Sequence, residues 1–386
     1  METSSAALVV TGAGPLARVQ SLLQRLHADG TAGDKAGNRQ FFYDQYAGLL
    51  LLYFFNPTLT SMNALQKATA LENVQRWLGL KKSVSTGSLS AAARVFDPDL
   101  LRGLLLDLAA QVGPAALPED REALRHLTAV DGTLLPVLPK LAHALWGDAG
   151  KRSAKLHLHF EVGRAVPVEA TITSAATSEI TQLKGTLQAG RLYVTDRGYS
   201  SYRLLADILA AGSSFVARLK QDAVFQVDEE RSISEEARQA GVIRDVVIGQ
   251  LGSDSNNDAP KKPLRIVVVQ PEPGQGRSDT PLILVTDRLD LPAELIALAY
   301  RWRWQIELYF RWLKCVLGCR HLLSHDLDGI AIQIYCALIA SVLLAGTSGR
   351  KPGKRTFEMF CHYFSGWATF EELQRHLKKL KEKDTG

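Results

Sequence analysis

The chain has 386 residues, of which 46% are hydrophobic and 22% are charged, and its net charge is +5. This length allows two or three domains, and the composition excludes intrinsic disorder. The small positive charge is compatible with a polyanionic partner but does not require one. Four cysteines late in the chain do not resemble a secreted disulfide scaffold, and no signal peptide is expected.

Leucines at helical spacing predict an α-helical domain over residues 1–118. The pattern breaks around Pro57, and Ser61 is expected to cap a helix over residues 62–79. Three basic residues lie at or just past the end of that helix: Arg76, Lys81 and Lys82. Two interpretations stay open for this region, namely a helix-turn-helix-like unit that binds DNA and a plain helical scaffold.

Strand-like runs begin near residue 124 and alternate with helical ones, which predicts a mixed α/β core over residues 119–220 and 280–346. Residues 221–279 contain strand-like runs flanked by Gly, Pro, Ser, Asn and Asp. We interpret this segment as a β-strand insertion into the core.

The last part of the chain is predicted to be helical. One long helix is expected over residues 292–318, with Pro292 in its first turn. The apolar segment at residues 330–345 is shorter than the roughly 20 residues that a membrane-spanning helix needs, so we predict a buried helix and no membrane association. Residues 347–386 should form a helical tail that ends in a basic amphipathic helix.

The long helix has an unusual distribution of charge. At about 100° per residue, one face within an arc of roughly 80° carries a tyrosine, one acid and three cations. These residues are Tyr300, Arg303, Glu307, Arg311 and Lys314. The pattern could be a solvated face with a Glu307–Arg311 pair worth a few tenths of a kcal/mol. Because solvated faces usually mix charge signs evenly, we favour a metal-binding carboxylate beside phosphate-binding groups.

Such a site needs partner carboxylates. Asp131 follows an apolar strand in LTAVDGT, and Asp196 follows another in LYVTDRGY. Either aspartate alone could serve as a turn or cap residue, but an unpaired acid within an apolar strand is costly unless it binds a metal. Together with Glu307 they predict a carboxylate set that holds two divalent ions about 4 Å apart for phosphodiester cleavage.

Three other patterns are set aside. Gly12-x-Gly14-x-x-Ala17 satisfies a dinucleotide-binding fingerprint, but the next apolar segment reads as a helix rather than as a second parallel strand. Only one residue separates the cysteine pair from the histidine pair in the sequence CVLGCRHLLSH, which is too close for a zinc finger. Asp287 lies in a second VTDR sequence, but it lacks the Gly-Tyr that follows Asp196.

The acidic residues and their neighbours resemble a known family. The spacing Tyr300-x2-Arg303-x3-Glu307-x6-Lys314 matches the tyrosine-arginine-glutamate-lysine signature of insertion-sequence-four (IS-four) family transposases. The DGT at Asp131 and the TDRGY at Asp196 resemble the first two acids of the Asp-Asp-Glu (DDE) triad of that family. The resemblance extends more loosely over most of residues 60–345.

The resemblance implies an RNase H-like catalytic core with a β-strand insertion. It implies cut-and-paste transposition, in which Mg²⁺-dependent hydrolysis at the element ends precedes attack of the freed 3′-hydroxyl on target DNA. Asp131, Asp196 and Glu307 would bind two Mg²⁺ ions, with Mn²⁺ as a substitute. The DNA-binding residues would be Tyr300, Arg303, Lys314, Arg311 and Arg197. The expected partners are terminal inverted repeats, target DNA and a second subunit in a homodimeric synaptic complex, in the bacterial cytoplasm at the nucleoid.

Two alternatives to a transposase remain. One is an RNase H-like nuclease that cuts without strand transfer, and the other is a domesticated DNA-binding protein without catalytic activity. Some members of the family stack an extruded base on a tryptophan of the insertion during hairpin formation. Residues 221–300 contain no tryptophan, so Phe225 would have to take that part.

Overall fold

The computed structural model describes residues 22–29, 34, 37–113, 117–136, 153–253, 258–271, 280–318, 322–324, 326–349, 351 and 353–384. These residues form a mixed α/β structure with one large sheet. They fall into two compact units. The sheet unit contains the described residues of 117–134 and 154–310. The helical unit contains the described residues up to 113, those from 311 onward, and residues 135, 136 and 153.

The elements are numbered in chain order. The helices are α1 (Tyr43–Phe55), α2 (Met62–Ala68), α3 (Glu72–Leu78), α4 (Thr86–Val95), α5 (Pro98–Gln111), α6 (Glu179–Gly185), α7 (Tyr202–Ala210), α8 (Glu235–Gln239), α9 (Ala293–Trp302), α10 (Trp304–Cys315), α11 (Leu327–Ser348), α12 (Lys354–Phe364) and α13 (Phe370–Asp384). The strands are β1 (Leu127–Pro136), β2 (Ser153–Glu161), β3 (Val166–Ser174), β4 (Leu192–Thr195), β5 (Ser214–Arg218), β6 (Phe225–Glu230), β7 (Val242–Leu251), β8 (Leu264–Val269) and β9 (Leu282–Thr286). Short 3₁₀ turns cover Glu119–Leu124 and Arg197–Tyr199.

The helix predicted over residues 62–79 is wrong as a single element, because α2 ends at Ala68 and α3 begins at Glu72. The Thr69 hydroxyl donates a hydrogen bond to the carbonyl of Gln66 at 2.6 Å and accepts one from the backbone N–H of Val84 at 2.9 Å. The chain leaves the helix just after Thr69: Ala70 and Leu71 donate to carbonyls three residues back, and Leu71 is extended. The predicted cap is confirmed, since the Ser61 hydroxyl accepts a hydrogen bond from Ala64 N–H.

The apolar segment at residues 330–345 forms the centre of α11, which is the main core helix of the helical unit. With 22 residues, α11 is long and apolar enough to cross a membrane, yet 94% of its apolar window is buried within the protein. It packs against α1, α4 and α5. The prediction of a buried helix is therefore confirmed, although the helix is longer than expected.

The sheet has the strand order β3-β2-β1-β4-β5-β9-β8-β7-β6. The central pairs β1–β4 and β4–β5 are parallel, whereas β2–β3, β5–β9, β9–β8, β8–β7 and β7–β6 are antiparallel. Strands β6, β7 and β8 all lie within the predicted insertion, and they extend the same sheet beyond β9.

Successive residues of the central strands point to opposite faces of the sheet, as the twofold period of a strand requires. Leu192, Val194 and Val216 pack on the face covered by α9. Tyr193, Phe215 and Ala217 pack on the other face, in the core that contains residues of α6 and α7. Both faces of the sheet are covered, which explains why these strands read as nearly continuous apolar runs.

The long helix predicted over residues 292–318 is also wrong as a single element. Helix α9 ends at Trp302 and α10 begins at Trp304, with Arg303 between them. Around this residue the backbone bonds span three residues, from Arg303 N–H to the Tyr300 carbonyl and from Ile306 N–H to the Arg303 carbonyl. Arg303 itself keeps helical backbone angles, and it still pairs with Glu307 four residues later, so the helix tightens at this residue without a change of face.

The predicted domain boundaries differ from the division by packing, because residues 311–346 lie in the helical unit rather than with the sheet. The proposed functions of those domains stay predictions. The dinucleotide-like sequence at Gly12 and three members of the cysteine–histidine cluster, Cys319, His321 and His325, lie outside the described residues.

Candidate active site

Two of the predicted acids lie side by side on neighbouring central strands: Asp196 directly follows β4, whereas Asp131 lies within β1 rather than after it. Parallel strands β1 and β4 pair Leu127 with Leu192 and Ala129 with Val194. Continued by two residues, this register places Asp131 opposite Asp196. Because neighbouring strands are about 4.8 Å apart, the two carboxylates occupy adjacent positions at the carboxyl end of β4.

Asp196 is held in place by the turn that it begins. Its carboxylate accepts a hydrogen bond from Gly198 N–H at 2.8 Å, and its carbonyl accepts one from Tyr199 N–H. The aspartate therefore caps the 3₁₀ turn Arg197–Tyr199, which directs the chain away from the sheet edge.

Asp131 is mostly buried. Burial raises the pKa of Asp131 to about 6, and the charges of Asp196 and Glu179 act in the same direction. The hydrogen bond from Gly132 N–H at 2.8 Å and the Arg303 guanidinium oppose the rise. A pKa above the ordinary value means that the folded protein holds this carboxylate in an environment that disfavours its charge.

Asp131→Asn is therefore expected to stabilise the metal-free protein at neutral pH. A carboxyl group whose pKa is higher in the folded state than in the unfolded state favours folding below the unfolded pKa, and this contribution is lost as pH rises through about 6. The Tm of Asp131→Asn in EDTA should exceed that of the wild type by several degrees at pH 8 and by much less at pH 4. Equal differences at both pH values would contradict this environment for Asp131.

Arg303 lies among all three acids. Its Nη2 donates to Glu307 Oε1 at 2.7 Å, and its charge acts on both Asp131 and Asp196. The guanidinium also lies 5.7 Å from the centre of the Tyr300 ring. Its Nε is buried and has no hydrogen-bond partner among the described residues. Arg303, between α9 and α10, is thus the cation that interacts with each of the three predicted acids.

The other predicted DNA-binding residues are more dispersed. Arg197 is exposed in the turn that follows Asp196. Arg311 and Lys314 lie in the later part of α10, which belongs to the helical unit; Arg311 is exposed and Lys314 is half-buried. Within the sheet unit, the structure brings together Asp131, Asp196, Tyr300, Arg303 and Glu307.

Asp287 lies near the opposite end of the central strands from Asp196. It follows β9, which runs antiparallel to β5, and its carboxylate accepts hydrogen bonds from Phe215 N–H at 2.9 Å and from the Ser214 hydroxyl at 3.1 Å. These partners are at the start of β5, whereas Asp196 is at the end of β4. Phe225, at the start of β6, packs partly against the core beside β5 and α7.

Glu179 is a fourth acid close to Asp131, and the sequence analysis missed it. Glu179 begins α6, and its Oε1 lies 2.5 Å from Lys155 Nζ. A Cβ atom built on Gly132 would lie 2.7 Å from the same oxygen. Ser178 is the N-cap of this helix, and a serine of this kind is a sequence signal for a helix start. No local sequence pattern, however, indicates that Glu179 packs beside Asp131.

The donor chemistry of the site suits a divalent cation. Asp131 and Asp196 offer hard carboxylate oxygens, the ligands that Mg²⁺ prefers, and a cation would offset the burial that raises the pKa of Asp131. Within the part of the chain that the structure describes, however, no three acidic, histidine or cysteine side chains are already arranged around one ion position. Glu307 is turned to Arg303 instead.

Residues 122–343 match the family model described as "Transposase DDE domain". "Putative transposase y4zB" of Sinorhizobium fredii (strain NBRC 101917 / NGR234) is 31% identical over 226 residues, which cover 58% of this chain and 61% of the relative. "Probable transposase for insertion sequence element IS5377" of Geobacillus stearothermophilus is 24% identical over 196 residues, half of each chain. The chain thus spans between half and two thirds of the length of these relatives.

Among solved structures, a piggyBac transposase synaptic complex with hairpin DNA aligns with 94% of this chain and 81% of its own, at a TM-score of 0.44 and 12% identity. The family model spans more than half of the chain and includes Asp131, Asp196 and Glu307. The protein therefore belongs to the transposase DDE-domain family.

Proposed function

We propose that this protein is a cut-and-paste DNA transposase of an insertion sequence, of the IS-four type, with Asp131, Asp196 and Glu307 as its catalytic acids. The observation that carries the proposal is the register of β1 and β4, which sets two of these acids side by side. The third, Glu307, lies in the first turn of α10 and accepts a hydrogen bond from Arg303, whose charge also acts on Asp131. An RNase H-like core, as the resemblance implies, agrees with two acids on adjacent parallel strands and a third on a later helix.

In this proposal each residue has a defined task. Divalent cations, when bound, supply the positive charge that stabilises the attacking and leaving oxygens of the phosphodiester. Asp131 and Asp196 hold those cations at the sheet edge. Arg303 neutralises Glu307 in the free protein and exchanges that carboxylate for a DNA phosphate, for which its unpartnered Nε is a spare donor. Glu307 is then released to complete the set of acids.

The proposed partners are DNA and a second copy of the chain. Arg197, Arg303, Arg311 and Lys314 would contact the phosphates of the terminal inverted repeats and of target DNA, and such contacts fix register rather than sequence. Tyr300 supports Arg303 through its ring. We propose a homodimer in the synaptic complex, because paired ends require two active sites.

A supercoiled plasmid that carries two element ends in inverted orientation tests this function. With Mg²⁺, the transposase should release the segment between the ends and join it to a second plasmid. Breaks without joined products would indicate a nuclease. Binding of the ends without Mg²⁺-dependent breaks would indicate a DNA-binding protein without catalysis, and either result would overturn the proposal.

Alanine at Arg303 or Lys314 is expected to weaken DNA binding in a salt-dependent way. Each phosphate contact that is lost should reduce the slope of log K against log salt concentration by about 0.9. Fluorescence anisotropy with an end duplex over a range of NaCl concentrations measures this slope. Arg244→Ala is the matched control, because Arg244 pairs with Glu230 on β6 at the far side of the sheet. A slope unchanged from the wild type would remove these residues from the proposed phosphate contacts.

A further inference from the structure

Glu179 lies where three parts of the proposed site meet. It is the first residue of α6, which follows β3. Its carboxylate pairs with Lys155 on β2 at 2.5 Å. Burial raises the pKa of the Tyr199 hydroxyl, and the charge of Glu179 raises it further. Tyr199 ends the turn that Asp196 caps. Glu179 therefore lies close to the turn that carries one of the two aspartates.

Glu179 also lies against the residue that follows the other aspartate. The carboxylate oxygen and the Cε of Lys155 occupy the space that a side chain at residue 132 would fill, at 2.7 and 2.9 Å from an ideal Cβ. Gly132 directly follows Asp131, and its N–H donates to the Asp131 carboxylate. The glycine thus permits the Glu179–Lys155 pair to lie against the backbone that carries Asp131.

A second glutamate in the sheet unit, Glu235, occupies the same position in its helix and differs from Glu179 in exposure and in its partners. Glu235 also begins a short helix, α8, after a serine N-cap. Its side chain is 67% exposed and its partners, Arg238 and Gln239, are in the same helix. Glu179 is 29% exposed, and its partners are on β2 and in the turn after β4. A favourable interaction with the helix N-terminus is common to both and does not explain these distant contacts.

We infer that Glu179 is a positioning residue that sets the placement of Asp131 and Asp196 for a divalent cation. One carboxylate lies against the backbone at Gly132 and interacts with the Tyr199 hydroxyl, so it links the two segments that carry the aspartates. Lys155 neutralises Glu179, which limits the negative charge that this brace adds beside the two aspartates. Groups that orient metal ligands in this way commonly change metal affinity by 10- to 100-fold when they are removed.

The inference rests on the proposed function, because it assumes that the two aspartates hold a cation. The experiment is calorimetric titration of the full chain with Mn²⁺ in the absence of DNA. The variants are Glu179→Ala, Glu179→Gln, Tyr199→Phe and the double variant Glu179→Ala/Tyr199→Phe. Glu235→Ala is the matched control, and thermal unfolding shows whether each variant folds.

Glu179→Ala is expected to raise the Kd for Mn²⁺ by about tenfold or more. Glu179→Gln keeps the size of the side chain beside Gly132 and Tyr199, so its Kd should stay within about threefold of the wild type. Tyr199→Phe removes the hydroxyl that interacts with Glu179 and should raise the Kd. The double variant should raise the Kd by less than the product of the single effects, because both changes disrupt the same interaction. The control should bind as the wild type does.

Several results would overturn the inference. One is a Kd of Glu179→Ala for Mn²⁺ within twofold of the wild type. Another is an equal loss of affinity in Glu179→Gln and Glu179→Ala, which would indicate that Glu179 acts through its charge rather than by positioning the aspartates. If Glu179→Ala fails to fold, Tyr199→Phe and Glu179→Gln decide between the same outcomes. A wild-type chain that binds no Mn²⁺ would overturn the proposed metal site together with the inference, whereas wild-type binding with unaffected variants would overturn the inference alone.

Discussion

Asp131→Asn, Asp196→Asn and Glu307→Gln are each expected to lower the rate of Mg²⁺-dependent DNA cleavage by about 10³-fold or more. Each change removes the negative charge of one carboxylate and keeps the shape of the side chain. Nicking of the supercoiled plasmid measures the rate, and anisotropy measures end binding. Binding should change little, because these acids do not grip phosphates.

Asp287→Asn is the matched control for this series. It changes the aspartate of the other VTDR sequence, at the opposite end of the central strands. An asparagine oxygen at this position can still accept the hydrogen bond from Phe215 N–H. We expect cleavage at close to the wild-type rate. Two results would contradict the assignment of Asp131 and Asp196 as the catalytic aspartates. One is normal cleavage by a variant of either residue, and the other is loss of cleavage in a folded Asp287→Asn protein.

Asp245→Ala is expected to destabilise the sheet unit by about 3–5 kcal/mol. Asp245 on β7 forms a bidentate pair with Arg265 on β8, with distances of 2.7 and 2.6 Å. Both side chains are only 3% exposed. Removal of the aspartate leaves a buried guanidinium whose charge is not compensated. Amide hydrogen exchange of β7 and β8 measures the loss.

Two further variants make this stability test specific. Asp290→Ala breaks an exposed pair with Arg288 and should cost less than about 1 kcal/mol. The double change Asp245→Leu/Arg265→Met removes both charges and should recover much of the lost stability. Protection of β7 and β8 in Asp245→Ala at the wild-type level would show that the pair contributes little to the fold.

Much of the secondary structure was predictable because it depends on neighbouring residues. Strand-like runs bounded by Gly, Pro and polar residues predicted the strands of the core, and Ser61 was correctly assigned as a cap. The family was also predictable, since the DGT, TDRGY and Tyr-Arg-Glu-Lys patterns are contiguous or closely spaced. The family match agrees with a DDE transposase, while the narrower IS-four assignment remains part of our proposal.

The errors concern elements whose form depends on distant contacts. Helical periodicity continues through Arg303, and nothing in the local pattern predicts a break there. In the folded chain, Arg303 lies among acids from β1, the turn after β4 and α10, and the helix divides at that residue. Similarly, the predicted helix over residues 62–79 is interrupted beside Thr69, whose hydroxyl bonds to Val84, 15 residues away.

The amino-acid sequence specified which residues could do the chemistry, because carboxylates after apolar strands are costly without a partner or a metal. It did not specify how those carboxylates are arranged. That arrangement follows from the register of β1 against β4, from the space left at Gly132 and from the packing of Glu179 against Tyr199. Each of these depends on segments tens of residues apart, whose contacts exist only once the sheet has formed and excluded water from the site.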